Sequence, residues 1–113
     1  MHFTSYIMDA LQSPQVQSIE VTVVFFSTLK KITGQTRIQI SISPNQTVLS
    51  VLEKIHNTYF TPHNSRLLHA DNQTLEVGHI CLIDDVDLQL MGGPKHKLKK
   101  SCTITLISSL HGG

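Results

Sequence analysis

The chain has 113 residues, a length that suits one domain and leaves little room for a second. Hydrophobic residues make up 40% of the sequence, which is enough to form a core without metal or disulfide support. The formal net charge of +1 excludes a general attraction to nucleic acid or to an acidic membrane.

Residues 1–18 predict a flexible N-terminal extension, because polar residues surround isolated apolar ones and Pro14. They lack the positive charge and the apolar run of a secretory signal. Cys81 and Cys102 have no metal or redox spacing, and we interpret both as small core residues. These features favour a cytoplasmic protein.

The pattern of a folded domain starts at residue 19 and is predicted to continue to residue 113. Residues 19–26 are rich in β-branched and aromatic side chains, which predicts a strand. Residues 27–34 predict a turn or one helical turn that ends at Gly34. Residues 37–43 alternate strictly, so they predict the second strand of a hairpin, with Ile38, Ile40 and Ile42 facing the core.

One segment has the spacing of an amphipathic helix. Its apolar face is predicted to carry Val48, Leu52, Ile55 and Tyr59, with Thr47 as the N-cap. Residues 62–72 are predicted to form a long loop after it.

The remainder predicts short strands separated by turns. In order, these are a strand at 80–83, a turn at 84–85, a strand at 86–90, a break at 92–94, an exposed basic stretch at 95–100 and a last strand at 102–107. The whole element order predicts an α+β fold of the β-grasp (ubiquitin-like) type. We expect a mixed sheet of four to five strands packed on one main helix.

The sequence contains no motif of an enzyme site or a nucleotide-binding loop. Its seven histidines form no i, i+4 pair and no cluster with cysteine, so we expect no metal. Asp84, Asp85 and Asp87 are interpreted as turn residues rather than as ligands of a cation. No catalytic residue and no permanently bound cofactor are therefore expected.

The most informative residues are the last four, Leu110, His111, Gly112 and Gly113, which follow directly on a predicted strand. A tail that ends in two glycines can enter a narrow channel, since glycine accepts almost any backbone conformation. Four extended residues reach roughly 13 Å from the domain. Such a tail can place a terminal carboxylate in the active site of another enzyme.

Two stretches resemble a known family. Residues 75–92, together with the ending at 108–113, look like the C-terminal half of the eukaryotic ubiquitin-related modifier proteins, which are β-grasp sulfur carriers of tRNA thiolation. Residues 23–34 are also similar to the small subunit of molybdopterin synthase, a related sulfur carrier. The long loop before residue 80 and the His before Gly-Gly favour the modifier family.

The resemblance implies that an E1-like activating enzyme with a rhodanese domain uses ATP to adenylate Gly113. A thiocarboxylate then forms there, and its sulfur passes, through a tRNA thiolase complex, to the wobble uridine of cytosolic tRNA. It also implies attachment of Gly113 to lysines of target proteins. Gly112, His111 and Leu110 correspond to the part of the tail that the activating enzyme binds.

Two alternatives remain open at this point. The chain resembles the small subunit of molybdopterin synthase, and it also fits a plain β-grasp protein-binding module with an incidental Gly-Gly end. The lysines at 95–100 are interpreted as a solvated turn, with a tRNA contact as the alternative. Neither membrane association nor direct binding of nucleic acid is expected.

Overall fold

The computed structural model describes residues 17–108, and this part forms a β-sheet with helices packed on one face. Its strands are β1 (Ile19–Phe25), β2 (Arg37–Ile42), β3 (Gln46–Thr47), β4 (His79–Ile83), β5 (Val86–Asp87), β6 (Lys97–Leu98) and β7 (Cys102–Ser108). Its α-helices are α1 (Thr28–Thr33) and α2 (Val48–Ile55). A π-helical turn (His56–Phe60) and 3-10 turns at Thr61–His63 and Leu88–Met91 follow the helices and β5.

Five of the strands form one sheet in the order β2-β1-β7-β4-β5, and β3 pairs with β6 in a separate ribbon. β1 and β7 run parallel, whereas the other neighbours in the sheet are antiparallel. This arrangement confirms the predicted α+β fold, with a five-stranded mixed sheet and one main helix.

The hairpin of β1 and β2 confirms the interpretation of the alternating sequence. Ile38 and Ile40 lie opposite Val23 and Val21 in the antiparallel register, so all four side chains share the inner face. Ile42 is buried, while Ile38 and Ile40 are half-buried because β2 is an edge strand.

The segment between β1 and β2 contains a true helix, α1, where the sequence predicted a turn or one helical turn. Leu29 anchors α1 in the core, and Gly34 ends it with a positive φ of 70°. The Gly34 N–H donates to the Lys30 carbonyl at 3.0 Å, which closes the last turn. α1 is therefore longer than the single turn that the sequence predicted, and α2 remains the one main helix.

α2 begins where the sequence predicted. The Thr47 hydroxyl accepts a hydrogen bond from the Ser50 N–H at 3.2 Å, so Thr47 is the N-cap. The buried face carries Val48, Leu52 and Ile55, as predicted, and also Val51. Tyr59 lies beyond the helix in the π-helical turn, where its ring is 6.3 Å from the ring of Phe25.

The core lies between α2 and the inner face of the sheet. Its largest fully buried side chains come from every part of the described chain: Phe25, Leu29, Leu52, Ile55, Phe60, Leu67, Leu68, Leu88, Ile104 and Leu106. Leu67 and Leu68 belong to the predicted loop at 62–72, so this loop is anchored in the core. Cys81 is buried as predicted, whereas Cys102 is only half-buried, and both are free thiols.

Two other predictions near the C-terminal half need correction. The strand expected at 86–90 is only Val86–Asp87, because a 3-10 turn at Leu88–Met91 buries Leu88. The basic stretch expected to be a solvated turn contains β6, whose Leu98 is 3% exposed and pairs with Gln46. The turn at Asp84 and Asp85 is confirmed, with φ values of 47° and 70°.

Candidate functional site at the end of the central strand

The end of β7 positions the C-terminal tail, because β7 is the central strand of the sheet. Its neighbours are β1 on one side and β4 on the other. The Phe26 N–H donates to the Leu106 carbonyl at 3.0 Å, and Ser108 lies opposite His79. The chain therefore leaves the sheet between the end of β1 and the start of β4.

The four tail residues that the sequence singled out, Leu110, His111, Gly112 and Gly113, lie outside the described residues. The structure fixes the strand from which they extend. Ile104, Thr105 and Leu106 are buried in β7, so the base of the tail is held by the core and by hydrogen bonds to both neighbouring strands. Any enzyme that receives the tail meets this end of the sheet first.

An apolar surface lies beside the base of the tail on the outer face of the sheet, opposite the helices. The strand registers bring four of its side chains together, and Phe26 directly follows β1 beside them. We call these five side chains the outer-face patch: Val24, Phe26, Ile80, Leu82 and Ile107. Phe26 is 47% exposed, and the other four are half-buried. Exposed apolar surface of this kind is typical of a protein-binding site.

Thr105 occupies the centre of this outer face. Val24 and Leu82 are its partners on the two adjacent strands, and together they leave Thr105 only 9% exposed. The patch is therefore continuous across the three central strands of the sheet. It offers a partner a rigid surface, since the backbone of β7 is hydrogen-bonded on both sides.

The outer-face patch was missed in the sequence, although a signal for it exists. A strand with one face in solvent alternates between apolar and polar residues, whereas residues 23–26 and 80–83 are apolar throughout. Such runs place apolar side chains on both faces of their strands. In a sheet with helices on one face only, the second apolar face remains exposed.

His79 lies at the base of the tail on the inner side of the sheet. Burial lowers the pKa of His79, and a hydrogen bond with the Leu67 backbone and the charge of Glu76 oppose this shift. Its Nδ1 is buried and has no hydrogen-bond partner in the described part of the chain. The neutral imidazole is thus the favoured form at this position.

The other candidate groups do not assemble into a chemical site. Between residues 17 and 108, no three His, Cys, Asp or Glu side chains come together in a way that suits a metal ion. Burial raises the pKa of the Cys81 thiol to about 12, and burial followed by the charge of Asp84 also raises the pKa of Cys102. Both thiols are therefore weak nucleophiles at neutral pH.

Comparison with known proteins gives a family match over most of the chain. The family model for Urm1 (Ubiquitin related modifier) matches residues 19–113. A Ubiquitin-related modifier 1 homolog of Drosophila willistoni is 33% identical over 79 residues, which cover 68% of this chain and 77% of that protein. The homolog of Drosophila simulans is 30% identical over 79 residues, with coverage of 68% and 76%.

Solved structures give the same fold. The solution structure of Urm1 from Trypanosoma brucei superposes with a TM-score of 0.64 at 23% identity and covers 86% of this chain and 98% of that one. The small archaeal modifier protein 1 of Methanosarcina acetivorans gives 0.67 at 22% identity, covering 86% and 99%. A putative molybdopterin converting factor subunit of Pyrococcus furiosus gives 0.60 at 12% identity, covering 82% and 100%. The fold is thus the ubiquitin-like β-grasp.

Proposed function

The chain belongs to the Urm1 (ubiquitin related modifier) family, and from this premise we propose that it is a sulfur carrier and protein modifier activated at Gly113. The observation that carries the proposal is the extent of the family match, which runs from residue 19 to Gly113 itself. The Gly-Gly end is therefore part of the matched pattern rather than an addition to it. Its position directly after the central strand β7 supports the same role.

The proposed reaction starts from the Gly113 carboxylate. It attacks the α-phosphorus of ATP on an E1-like enzyme, pyrophosphate leaves, and an acyl-adenylate remains. A persulfide of that enzyme's rhodanese domain attacks the acyl carbon and displaces AMP. A thiol then reduces the resulting acyl disulfide, which releases the Gly113 thiocarboxylate. Exchange of a poor leaving group for AMP makes the acyl transfer possible.

In this proposal the protein contributes binding and delivery rather than catalysis. Gly112 lets the tail pass a narrow channel, and His111 and Leu110 contact the mouth of that channel. The outer-face patch supplies the larger contact with the activating enzyme, since it lies beside the base of the tail. Binding both parts at once positions the carboxylate against ATP and excludes water.

In this proposal the activated terminus takes part in two reactions. Sulfur passes, through a tRNA thiolase complex in the cytoplasm, to the wobble uridine of tRNA. Alternatively, the amine of a target lysine attacks the activated carbonyl and forms an isopeptide bond.

ATP is a substrate of the activating enzyme, so we propose no cofactor held by this chain. In the described part of the chain, no helix has the length and apolarity to cross a membrane.

The proposal is tested by intact mass spectrometry of the full chain after incubation with ATP, an E1-like enzyme of this family's pathway and a sulfur donor. We expect the mass of one sulfur in place of one oxygen at Gly113. Deletion of Gly113, or a peptide tag after it, should abolish the change and leave the circular dichroism spectrum unaltered. A native-like chain that stays unmodified with its active enzyme would contradict the proposal.

Leu110→Asp tests the proposed contact at the channel mouth. The charged side chain needs solvation that an apolar channel does not provide, so the rate of adenylate formation should fall by roughly tenfold or more. Leu90→Asp is the matched control, because Leu90 is 80% exposed in the 3-10 turn at Leu88–Met91. Equal rates for the two variants would remove Leu110 from the proposed contact.

The molybdopterin alternative rests on the resemblance of residues 23–34 and on a likeness in fold, at 12% identity to one such subunit. It makes a different prediction, because a synthase subunit forms a lasting complex with a large catalytic subunit. Co-purification from the native source distinguishes the two. A stable complex with such a subunit would favour the alternative, whereas dependence of the thiocarboxylate on a rhodanese-bearing enzyme favours the modifier.

A further inference from the structure

A second surface lies at the opposite end of β7 from the tail. It is an open groove of about 540 Å³ between the β4–β5 turn, the 3-10 turn at Leu88–Met91 and β6. Ile83, Leu98, Met91 and Cys102 form its apolar part. Ile83 and Leu98 are buried and belong to the core, while Met91 and Cys102 are half-buried, so the floor is rigid and accessible.

The rim of this groove is strongly basic. Lys97, Lys99 and Lys100 line it and are exposed, and His96 lies beside them. Asp84 is the single carboxylate in the lining, so three lysines and one carboxylate leave a formal charge of +2. The whole chain has a charge of only +1. The groove therefore carries more net positive charge than the whole chain, and the remaining residues together have a formal charge of −1.

These lysine charges are available to a partner. Within residues 17–108 the structure shows one ion pair, between His69 and Glu76. None of the three rim lysines pairs with a carboxylate of this part of the chain. Asp84 forms no ion pair with them, and its Oδ1 accepts a hydrogen bond from the Thr103 N–H of β7 at 2.9 Å. An acidic ligand would thus add ion pairs without having to break existing ones.

We propose that this groove binds an acidic segment of a partner protein, with one or two apolar side chains of that segment inserted against Met91, Leu98 and Cys102. The carboxylates of the segment pair with the lysines of the rim. The lining combines an apolar floor with a charged rim, the usual composition of a protein-binding site. Its volume lies within the range of about 300 to 1,000 Å³ that is typical of ligand-binding pockets, which is enough for one or two side chains of a partner.

The lining favours a peptide over RNA. Proteins that read single-stranded RNA stack its bases on aromatic rings or on Arg, and His96 is the one such side chain in the lining of the groove. The two lysines that follow β6 are held on one short turn rather than along an extended track. The floor itself is formed by Ile83, Met91, Leu98 and Cys102, which suit aliphatic side chains better than bases.

The groove and the tail can be occupied at the same time. β7 has seven residues, so its two ends are about 20 Å apart at the usual rise per residue. Cys102 at its start lines the groove, and Ser108 at its end leads to the tail. A partner can therefore hold the groove while the terminus lies in another active site.

The test is fluorescence anisotropy of the full chain with a fluorescein-labelled peptide that has two Leu residues flanked by Glu. We expect Lys99→Glu/Lys100→Glu to weaken binding roughly tenfold, through loss of attraction and added repulsion. The matched control is Lys30→Glu/Lys31→Glu, an equal charge change on exposed lysines of α1, with an effect below about twofold. Binding that both variants reduce equally would overturn the proposal.

Four further measurements address the apolar floor, RNA and the tail. Met91→Gln should weaken binding without changing its salt dependence, and a peptide with Ser in place of Leu should not bind. If a single-stranded RNA of equal charge binds more tightly than the peptide, and this binding depends on Lys99 and Lys100, the ligand of the groove is nucleic acid rather than an acidic segment. A chain without Gly112 and Gly113 should bind the peptide unchanged, which separates this proposal from activation at the tail.

Discussion

The imidazole of His56 joins the end of α2 to the loop that follows it. Its Nδ1 accepts hydrogen bonds from the Leu67 N–H at 3.0 Å and the Leu68 N–H at 3.3 Å, and its ring stacks on Phe60. If Nδ1 carried a proton, it could no longer accept these two hydrogen bonds. Burial, and secondly the charge of Arg66, lower the pKa of His56 from its usual 6.5. The fold therefore requires the neutral ring.

This requirement predicts a loss of stability in mild acid. Below about pH 6.5 the unfolded chain binds a proton at His56 more readily than the folded chain does. The free energy of unfolding should decline below that pH, by up to about 1.4 kcal/mol per pH unit for one such group. Urea denaturation between pH 5 and 8, in steps of about one unit, measures the slope.

His56→Gln should reduce this slope, since Gln offers an acceptor oxygen and does not titrate. His79→Gln should reduce it as well, because burial also lowers the pKa of His79. His63 is exposed and serves as the control, so His63→Gln should leave the slope unchanged. If His56→Gln keeps the wild-type slope, the two backbone hydrogen bonds do not govern the protonation of His56.

The two cysteines should differ in their access to reagents rather than in their role. Both thiols have a raised pKa, but Cys81 is 2% exposed whereas Cys102 is half-buried in the lysine-rimmed groove. We expect iodoacetamide to alkylate Cys102 first and Cys81 only after unfolding in urea. Peptide mass spectrometry over time measures both rates. Similar rates in the folded protein would contradict the assigned burial.

Residue roles were predictable where they depend on polarity and spacing alone. Cys81 and the N-cap Thr47 follow from the local sequence, because an apolar run and a capping pattern are local. His56 was not assigned, since its partners Leu67 and Leu68 lie more than ten residues away in sequence. A hydrogen bond across such a loop leaves no periodic signal.

At the scale of elements, the N-cap of α2 makes a direct prediction. The Thr47 hydroxyl accepts a hydrogen bond from the Ser50 N–H, while the Thr47 backbone pairs with Lys97 and does not depend on the hydroxyl for this pairing. Thr47→Ala should lower the free energy of unfolding by about 1 kcal/mol, and Thr47→Ser should restore most of it. Chemical denaturation measures both. A loss as large in the Ser variant would assign the effect to the methyl group instead.

The elements predicted well are those long enough to show a period. β1, β2 and α2 have six to eight residues, and their apolar positions repeat often enough to distinguish a strand from a helix. β3, β5 and β6 have two residues each, too few for any repeat. Leu98 illustrates the consequence, because one leucine among lysines predicts a solvated turn although its side chain is buried in the core.

At the scale of the whole molecule, the position of β7 between β1 and β4 determines which surfaces lie beside the base of the tail. The order of elements predicted the β-grasp fold, but not the registers that assemble the outer-face patch. Those registers bring Val24 opposite Thr105 and Ile80 opposite Ile107, across more than 25 residues of sequence. Surfaces built from several strands depend on pairings that no single segment of sequence contains.

The two surfaces at opposite ends of β7 should therefore act independently. Phe26→Asp removes an exposed ring from the outer-face patch, so it should slow thiocarboxylate formation by roughly tenfold and leave binding of the acidic peptide intact. Lys99→Glu/Lys100→Glu should do the reverse.

Sites about 20 Å apart without a shared partner give additive effects, so the combined variant should show both losses at the size of the single variants. Mass spectrometry and anisotropy on the same four proteins test this. A combined loss larger than the sum would mean that one partner spans both surfaces and holds the tail and the groove together.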